Sequence, residues 1–258
     1  MGPKPGIPRL YGELAWLFPI ITPLEHYLDE TEQLCRLIRQ LSWVPVESVL
    51  HLGCGAGHSD FVLKRHFHLT GIDVSPSMLG LARKLNPEVD YRQADMRELD
   101  LDRRFQAVIS VDALGYLASE EELECTFRGA YRHLEPGGLF LFVLEETRGS
   151  FIQDRTVHWT KKQGELTVTL IENNHDPDPA DDTFEYTLLY LIRRGSNLRI
   201  ETDRHLCGLF SEEVFLRRLE EAGFEASRLE WRPPKEALEY AGLTGDESFP
   251  MFVGVRPL

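Results

Sequence analysis

Val49-Leu50-His51-Leu52-Gly53-Cys54-Gly55-Ala56-Gly57 is an apolar run that breaks into a GxGxG turn, with amphipathic sequence after it. The pattern is that of a buried strand ending in a tight turn that opens a helix. Glycine has no Cβ, so the backbone can take positive φ and a ligand can approach it closely, while the start of the helix offers free N–H groups. Asp73 stands about twenty residues beyond Gly53, at the end of the next apolar run Leu69–Asp73. A carboxylate there can accept both hydroxyls of a ribose. His58 follows Gly57 where a dinucleotide fingerprint would need another spacing before its last glycine, and no GK[ST] is present, so the ligand reads as a nucleoside without phosphates.

Outward from that turn the chain alternates. Strand-sized apolar runs fall at 49–52, 69–73, 89–93, 105–111 and 139–144, with helices between them near 58–66, at 76–85 capped by Ser75, and at 120–134. Ser119 and Glu122 have capping-box spacing at the last of these. Upstream, Thr22-Pro23-Leu24-Glu25 has the same spacing with proline in the first helical position, and it predicts a helix whose apolar residues run from Leu24 to Leu41. This alternation predicts an α/β chain with a Rossmann-like, doubly wound, mostly parallel sheet of seven strands.

Residues 147–208 break the rhythm. Strands are expected at 165–171, 184–194 and 198–206, paired antiparallel through Gly195-Ser196-Asn197 and through the acidic stretch 175–182. Asp176, Asp178, Asp181 and Asp182 in that stretch lack the central glycine and terminal glutamate of a calcium loop, so it reads as a solvated hairpin loop and no metal site is expected. A helix at 211–222, stopped by Gly223, leads to strands at 224–231 and 249–255. The division expected is an N-terminal helical segment with the cofactor-binding core at 1–146, an antiparallel β lid at 147–208, and completion of the core sheet at 209–258.

The 258 residues are enough to bury a full core. Acidic groups outnumber basic ones 42 to 28, a net charge of −14 that opposes a phosphate backbone, so nucleic acid is not an expected partner. Cys35, Cys54, Cys125 and Cys207 form no CxxC pair and suit a reducing compartment. Leu14–Ile21 is interrupted by Pro19, with no small-residue cleavage site after it, and no apolar run approaches the roughly 20 residues that span a bilayer. A cytoplasmic protein with a small-molecule acceptor and no membrane partner is expected; a homodimer is left open.

Five motifs in order resemble those of the class I S-adenosylmethionine-dependent methyltransferases over about residues 45–145. They are Gly53-Cys54-Gly55-Ala56-Gly57, then Gly71-Ile72-Asp73-Val74-Ser75-Pro76-Ser77-Met78-Leu79, Ala94-Asp95-Met96, Phe105–Ser110, and Leu134-Glu135-Pro136-Gly137-Gly138. The resemblance implies S-adenosyl-L-methionine as cofactor, with Gly53, Cys54, Gly55 and Gly57 beside its methionine and ribose. It further implies Asp73 and Val74 at the ribose, Asp95 and Met96 at the adenine, and Val111 with Asp112 on the side where the methyl group leaves. His51 departs from the pattern, standing where the family commonly carries an acid near the cofactor's amino group; it reads equally as a satisfied core histidine. The strands ending at Arg204-His205-Leu206-Cys207 look similar to the lid of small-molecule methyltransferases, including sugar N,N-dimethyltransferases.

The implied function is N- or O-methylation of a small molecule by in-line transfer. Asp112, Tyr116 and His205 are the candidate catalytic residues, His158 is a further candidate at the acceptor, and Tyr11 is the candidate flap over the cofactor. Tyr11, His158 and His205 also read as packing residues, and Trp159, Phe184 and Tyr186 as lid packing. An NAD-dependent oxidoreductase and a non-catalytic adenosyl-binding module are the alternatives.

Overall fold

The computed structural model describes residues 6–234 and 248–258. Strands β1 (Ser48–Leu52), β2 (His68–Asp73), β3 (Asp90–Gln93), β4 (Phe105–Val111) and β5 (Leu134–Val143) pair parallel. A separate antiparallel sheet follows, made of β6 (Thr156–Gln163), β7 (Leu166–His175), β8 (Thr183–Arg194) and β9 (Asn197–Gly208). The chain then returns through β10 (Glu225–Trp231) and β11 (Phe249–Val255), and β11 lies antiparallel to both β5 and β10. The main sheet is thus seven-stranded and mostly parallel, in the order β10-β11-β5-β4-β1-β2-β3.

Helices cover both faces. They are α1 (Phe18–Ile21), α2 (Leu28–Leu41), α3 (Asp60–Leu63), α4 (Pro76–Leu85), α5 (Glu120–Arg132) and α6 (Glu212–Glu221). Alternation along β1 sends Leu50 and Leu52 into one apolar layer with Phe127, Phe140, Phe142, Phe215 and Phe252, while Val49 joins Leu34, Ile38, Val62 and Leu63 in the other. The caps act as the sequence predicts at two helices: Ser75 accepts from the Met78 N–H at 3.1 Å and Ser119 from the Glu122 N–H at 3.2 Å. The expected cap at Thr22 does not form. Thr22 Oγ1 donates back to the Phe18 carbonyl instead, and Leu24–Tyr27 winds as a 3-10 turn before α2 begins. The expected helix at 58–66 shrinks to α3, because Gly57, His58 and Ser59 belong to the turn.

The second sheet has four strands rather than the three expected, β6 being the addition. The acidic 175–182 loop closes on its own turns: Asp176 accepts from the Asp178 N–H, Asp178 from the Ala180 N–H, and Asp181 from the Thr183 N–H. One face of this sheet packs Leu166, Val168, Leu170, Leu188 and Tyr190 against Leu10, Leu14, Leu17, Ile20 and Ile21 of the N-terminal segment. Among the described residues, no helix is long and apolar enough to cross a membrane.

Candidate active site

The turn after β1 has the backbone its glycines imply, with φ of 68° at Gly53, 54° at Gly55 and 75° at Gly57. A Cβ at Gly53 would lie 2.2 Å from the Ala113 Cβ, and one at Gly57 would lie 2.6 Å from the Tyr91 hydroxyl. The first glycine lets the tip of β1 touch the segment after β4, and the third lets the turn settle on a buried polar group. That group is a network in which Tyr91 donates to Asp60 at 2.8 Å and Asn86 donates to both Tyr91 and the Gly57 carbonyl. Cys54 contributes only backbone here, since its thiol packs with Leu79, Ala82 and Tyr91.

Asp73 ends β2 beside this turn. One of its oxygens accepts from the Gly55 N–H at 2.9 Å and the other from the Ser75 N–H at 2.8 Å, which aims the carboxylate across the mouth of the turn. Burial raises its pKa, and the two N–H donors work against that rise. Val74 beside it is exposed. His51 lies beneath the turn, its Nδ1–H donating to Asp60 at 2.7 Å and its Nε2 buried without a hydrogen-bond partner. Asp95, after β3, is held by Arg97 at 2.7 Å, and the Met96 side chain reaches toward Gly53. Glycine turn, carboxylate and Met96 form a cradle whose backbone and polar groups suit an adenosyl ligand.

Past Val111 at the end of β4, Asp112 adopts a left-handed backbone at φ 61°, its N–H donating to the Val143 carbonyl of β5 at 3.3 Å. A left-handed backbone at a non-glycine residue is strained, and here it falls at the tip of a central strand. Glu145, two residues beyond β5, and Glu30 of α2 face the same space. Burial raises Asp112 well above its usual value, with further elevation from Glu145 and then Glu30. Burial and then Glu145 push Glu30 up to about 8. Asp112 and Glu145 are nonetheless exposed, so solvent screens both and limits that rise. Glu172, on the inner face of β7, is likewise pushed up to about 8 by burial and then Glu145. The rings of Tyr27, Tyr116 and Tyr186 stand around these acids, and burial raises all three phenols.

Tyr11, Tyr116 and His205 meet at the roof of the cleft. The Tyr11 hydroxyl lies 2.7 Å from that of Tyr116, which lies 2.7 Å from His205 Nδ1. His205 Nε2 in turn lies 2.9 Å from Asp203, whose carboxylate also accepts from the Leu10 N–H at 2.7 Å. Ser75 donates to the Tyr11 carbonyl. The N-terminal strand of chain is therefore pinned both to the lid and to the Asp73–Ser75 corner. His158 is not part of this group; it is exposed on β6, while its neighbour Trp159 turns inward and donates to the Ile21 carbonyl.

Sequence reading did not single out Asp203, Glu30, Glu145 or Glu172. Asp203 carried a usable signal, because two residues from His205 on a strand means the same face. Glu30 in a helix's first turn and Glu145 after a strand look like ordinary solvated acids. A shallow surface depression lined by Asp100, Arg103, Arg132 and His133 lies before β4 and β5, at the opposite edge of the sheet.

A family model described as a methyltransferase domain matches residues 49–138. The chain is 28% identical over 214 residues to the dTDP-3-amino-3,4,6-trideoxy-alpha-D-glucopyranose N,N-dimethyltransferase of Streptomyces venezuelae, covering 82% of this chain and 89% of that protein. It is 27% identical over 238 residues to the dTDP-3-amino-3,6-dideoxy-alpha-D-glucopyranose N,N-dimethyltransferase of Streptomyces fradiae, covering 91% and 92%. Among solved structures, the sugar N-methyltransferase KedS8 from a Streptoalloteichus species superposes with a TM-score of 0.80 at 25% identity, over 100% of this chain and 97% of that one. DesVI of Streptomyces venezuelae superposes at 0.78 and 25% identity, over 95% and 96%. The chain is a class I S-adenosylmethionine-dependent methyltransferase, related over most of its length to the sugar N,N-dimethyltransferases.

Proposed function

We propose that this enzyme methylates the amine nitrogen of an amino sugar. The observation that carries this reading is the character of the cleft past Val111, where Asp112, Glu145, Glu30 and Glu172 gather among Tyr27, Tyr116 and Tyr186. Carboxylates desolvated by protein attract a cation, and aromatic faces add to that attraction. An amine enters such a cleft as an ammonium ion; a sugar hydroxyl has no charge to offer. Relatives whose names specify amino sugars support the same acceptor class.

In this reading Gly53, Gly55 and Gly57 border the methionine and ribose of the cofactor, Asp73 takes the ribose hydroxyls, and Asp95 with Met96 flanks the adenine. Tyr11 closes over it from the N-terminal segment. The bound cofactor supplies an electrophilic methyl group on a sulfonium. The protein's part is to hold the amine in line with it, an orientation effect worth about 7–11 kcal/mol. His51, bonded to Asp60, supports the turn from below and leaves the ligand to the backbone above it.

The test is turnover with S-adenosylmethionine against a panel of amino sugars, each free and nucleotide-linked, together with the matching hydroxy sugars. Mass spectrometry should find one and then two added methyl groups on an amino sugar and none on its hydroxy counterpart. Methylation of the hydroxy sugars alone would overturn the assignment.

A further inference from the structure

A sugar amine is a cation at neutral pH, and an ammonium has no lone pair to attack with, so a proton must leave before each methyl transfer. We propose that Asp203 is a positioning residue that makes His205 the acceptor of this proton, reached through the hydroxyls of Tyr11 and Tyr116. The proposal rests on the N-methylation reading and goes beyond it.

With a neutral imidazole the bonding order leaves one consistent arrangement. The Asp203 carboxylate lies 2.9 Å from His205 Nε2, so that nitrogen carries the proton and Nδ1 is left with its lone pair. Nδ1 then accepts the Tyr116 O–H at 2.7 Å, and the Tyr116 oxygen accepts the Tyr11 O–H at 2.7 Å. Burial raises both phenols, which keeps each a neutral O–H that can pass one proton on only as it receives another. The tyrosines are half-buried at the cleft, whereas His205 and Asp203 are 2% and 5% exposed, so the chain runs from the cleft wall into the lid.

The groups facing the imidazole are Tyr11 from the N-terminal segment, Tyr116 from the turn after β4, Tyr186 opposite it on β8, and Asp203 on its own strand. Arg9, Glu172 and Tyr190 lie near Tyr11 and Asp203, and Cys207 lies near Tyr116. Burial works to raise Asp203, but the bonds from His205 and the Leu10 N–H more than offset this and its pKa is lowered, so it is an anion beside the ring.

The step balances. The ammonium gives one proton to the Tyr11 oxygen; the Tyr11 proton moves to Tyr116, and the Tyr116 proton moves to His205 Nδ1. The imidazolium so formed is paired with the Asp203 carboxylate. The freed nitrogen lone pair forms the N–CH3 bond as the S–CH3 bond breaks with its electrons staying on sulfur, and the product is again a cation facing the same cleft acids. Had a cleft carboxylate taken the proton, the charge holding the amine would have been cancelled.

The experiment compares the unaltered enzyme, Asp203→Asn and Asp112→Asn with a methylatable amino sugar across pH, together with S-adenosylhomocysteine affinity and the NMR signal of the His205 Nε2–H. Asparagine keeps the size of the side chain and an oxygen for the Leu10 N–H but removes the charge. In Asp203→Asn, kcat should fall by about 10²-fold or more, the scale of a general base. The rise of kcat with pH should be displaced, the Nε2–H signal should move upfield, and S-adenosylhomocysteine affinity should stay within about threefold. An unchanged kcat and pH profile in Asp203→Asn would overturn the proposal, as would a displaced profile in Asp112→Asn alone, which assigns the proton to the cleft. If the unaltered enzyme methylates no amine, the N-methylation reading falls and this proposal with it; indifference to Asp203→Asn removes this proposal alone.

Discussion

Replacing Asp73 with alanine tests the cofactor cradle at its narrowest point. The carboxylate has two oxygens, each anchored by one backbone N–H, from Gly55 at 2.9 Å and Ser75 at 2.8 Å, and each retains lone-pair capacity for one ribose hydroxyl. Hydrogen bonds to a charged acceptor contribute about 1.5–3 kcal/mol each. Losing two of them costs about 3–6 kcal/mol, roughly a 10²- to 10⁴-fold weaker Kd. The two freed N–H groups relax the turn as well and push the result toward the upper end. Asp73→Asn keeps one accepting oxygen and should fall between the two proteins. Isothermal titration with S-adenosylhomocysteine reads the loss directly, and a denaturant melt of the ligand-free variants separates it from unfolding. An affinity for Asp73→Ala within about threefold of the unaltered enzyme, in a folded protein, would refute the assignment of the ribose to this carboxylate.

Gly57→Ala should abolish cofactor binding and lower the melting temperature together, because a Cβ there meets the Tyr91 hydroxyl at 2.6 Å and Asn86 Nδ2 at 2.7 Å in a backbone of φ 75°; a stable, binding-competent variant would contradict the packing described. Tyr91→Phe removes a donor from buried Asp60 and an acceptor from Asn86, and a urea titration should register a loss of about 1–3 kcal/mol. Glu30 is an acid raised from 4.5 to about 8 in the folded state, so its favourable contribution is present below 4.5 and is lost as pH rises toward 8. The melting temperature of the ligand-free enzyme should therefore decline over that range, Glu30→Gln should flatten the decline, and a dimethylated amino-sugar product should bind more tightly at the upper end than at the lower.

The parts of this fold legible in the sequence are those fixed by local chemistry. Ser75 before Pro76 and Ser119 before Glu122 name two helix starts because a cap needs only a hydroxyl and the N–H two or three residues on. The glycine turn was readable because the positive φ at Gly53, Gly55 and Gly57 favours glycine. Strand β6 escaped because it is polar on its exposed face, with little more than Val157 and Trp159 turned inward, so its alternation is weak against the lysines around it. The Thr22 cap failed because the Thr22 hydroxyl donates backward to the Phe18 carbonyl, a local bond that competes with accepting from the N–H groups ahead of it. Of the cleft acids Asp112 was singled out from its place past the fourth strand, while Glu30, Glu145 and Glu172 were invisible for a different reason. Glu30, Asp112, Glu145 and Glu172 come from four separate elements, and only the tertiary fold makes them neighbours.

The acidic balance of the chain gains meaning from the same convergence. A net charge of −14 spread over a surface would say only that polyanions are unwelcome. Here two of the acids, Glu30 and Asp112, stand at the strand tips, where burial raises both, so that a cation beside them favours their ionised form. The apolar side of the lid sheet packs on the N-terminal segment, while Tyr186 and His205 face the cleft and Asp203 holds Leu10. The second sheet and the N-terminal segment therefore pack as one unit, which meets the cofactor-binding sheet at Ser75 and Tyr116 and through Ala56 and Met78, against which Tyr11, Ala15 and Phe18 pack. Opening the site for exchange then means breaking the Ser75–Tyr11, Tyr11–Tyr116 and Tyr116–His205 bonds and parting Tyr11, Ala15 and Phe18 from Ala56, Met78 and Leu81. That arrangement ties closure over the cofactor to assembly of the phenol–imidazole chain, so the groups beside the amine are complete only when water is shut out.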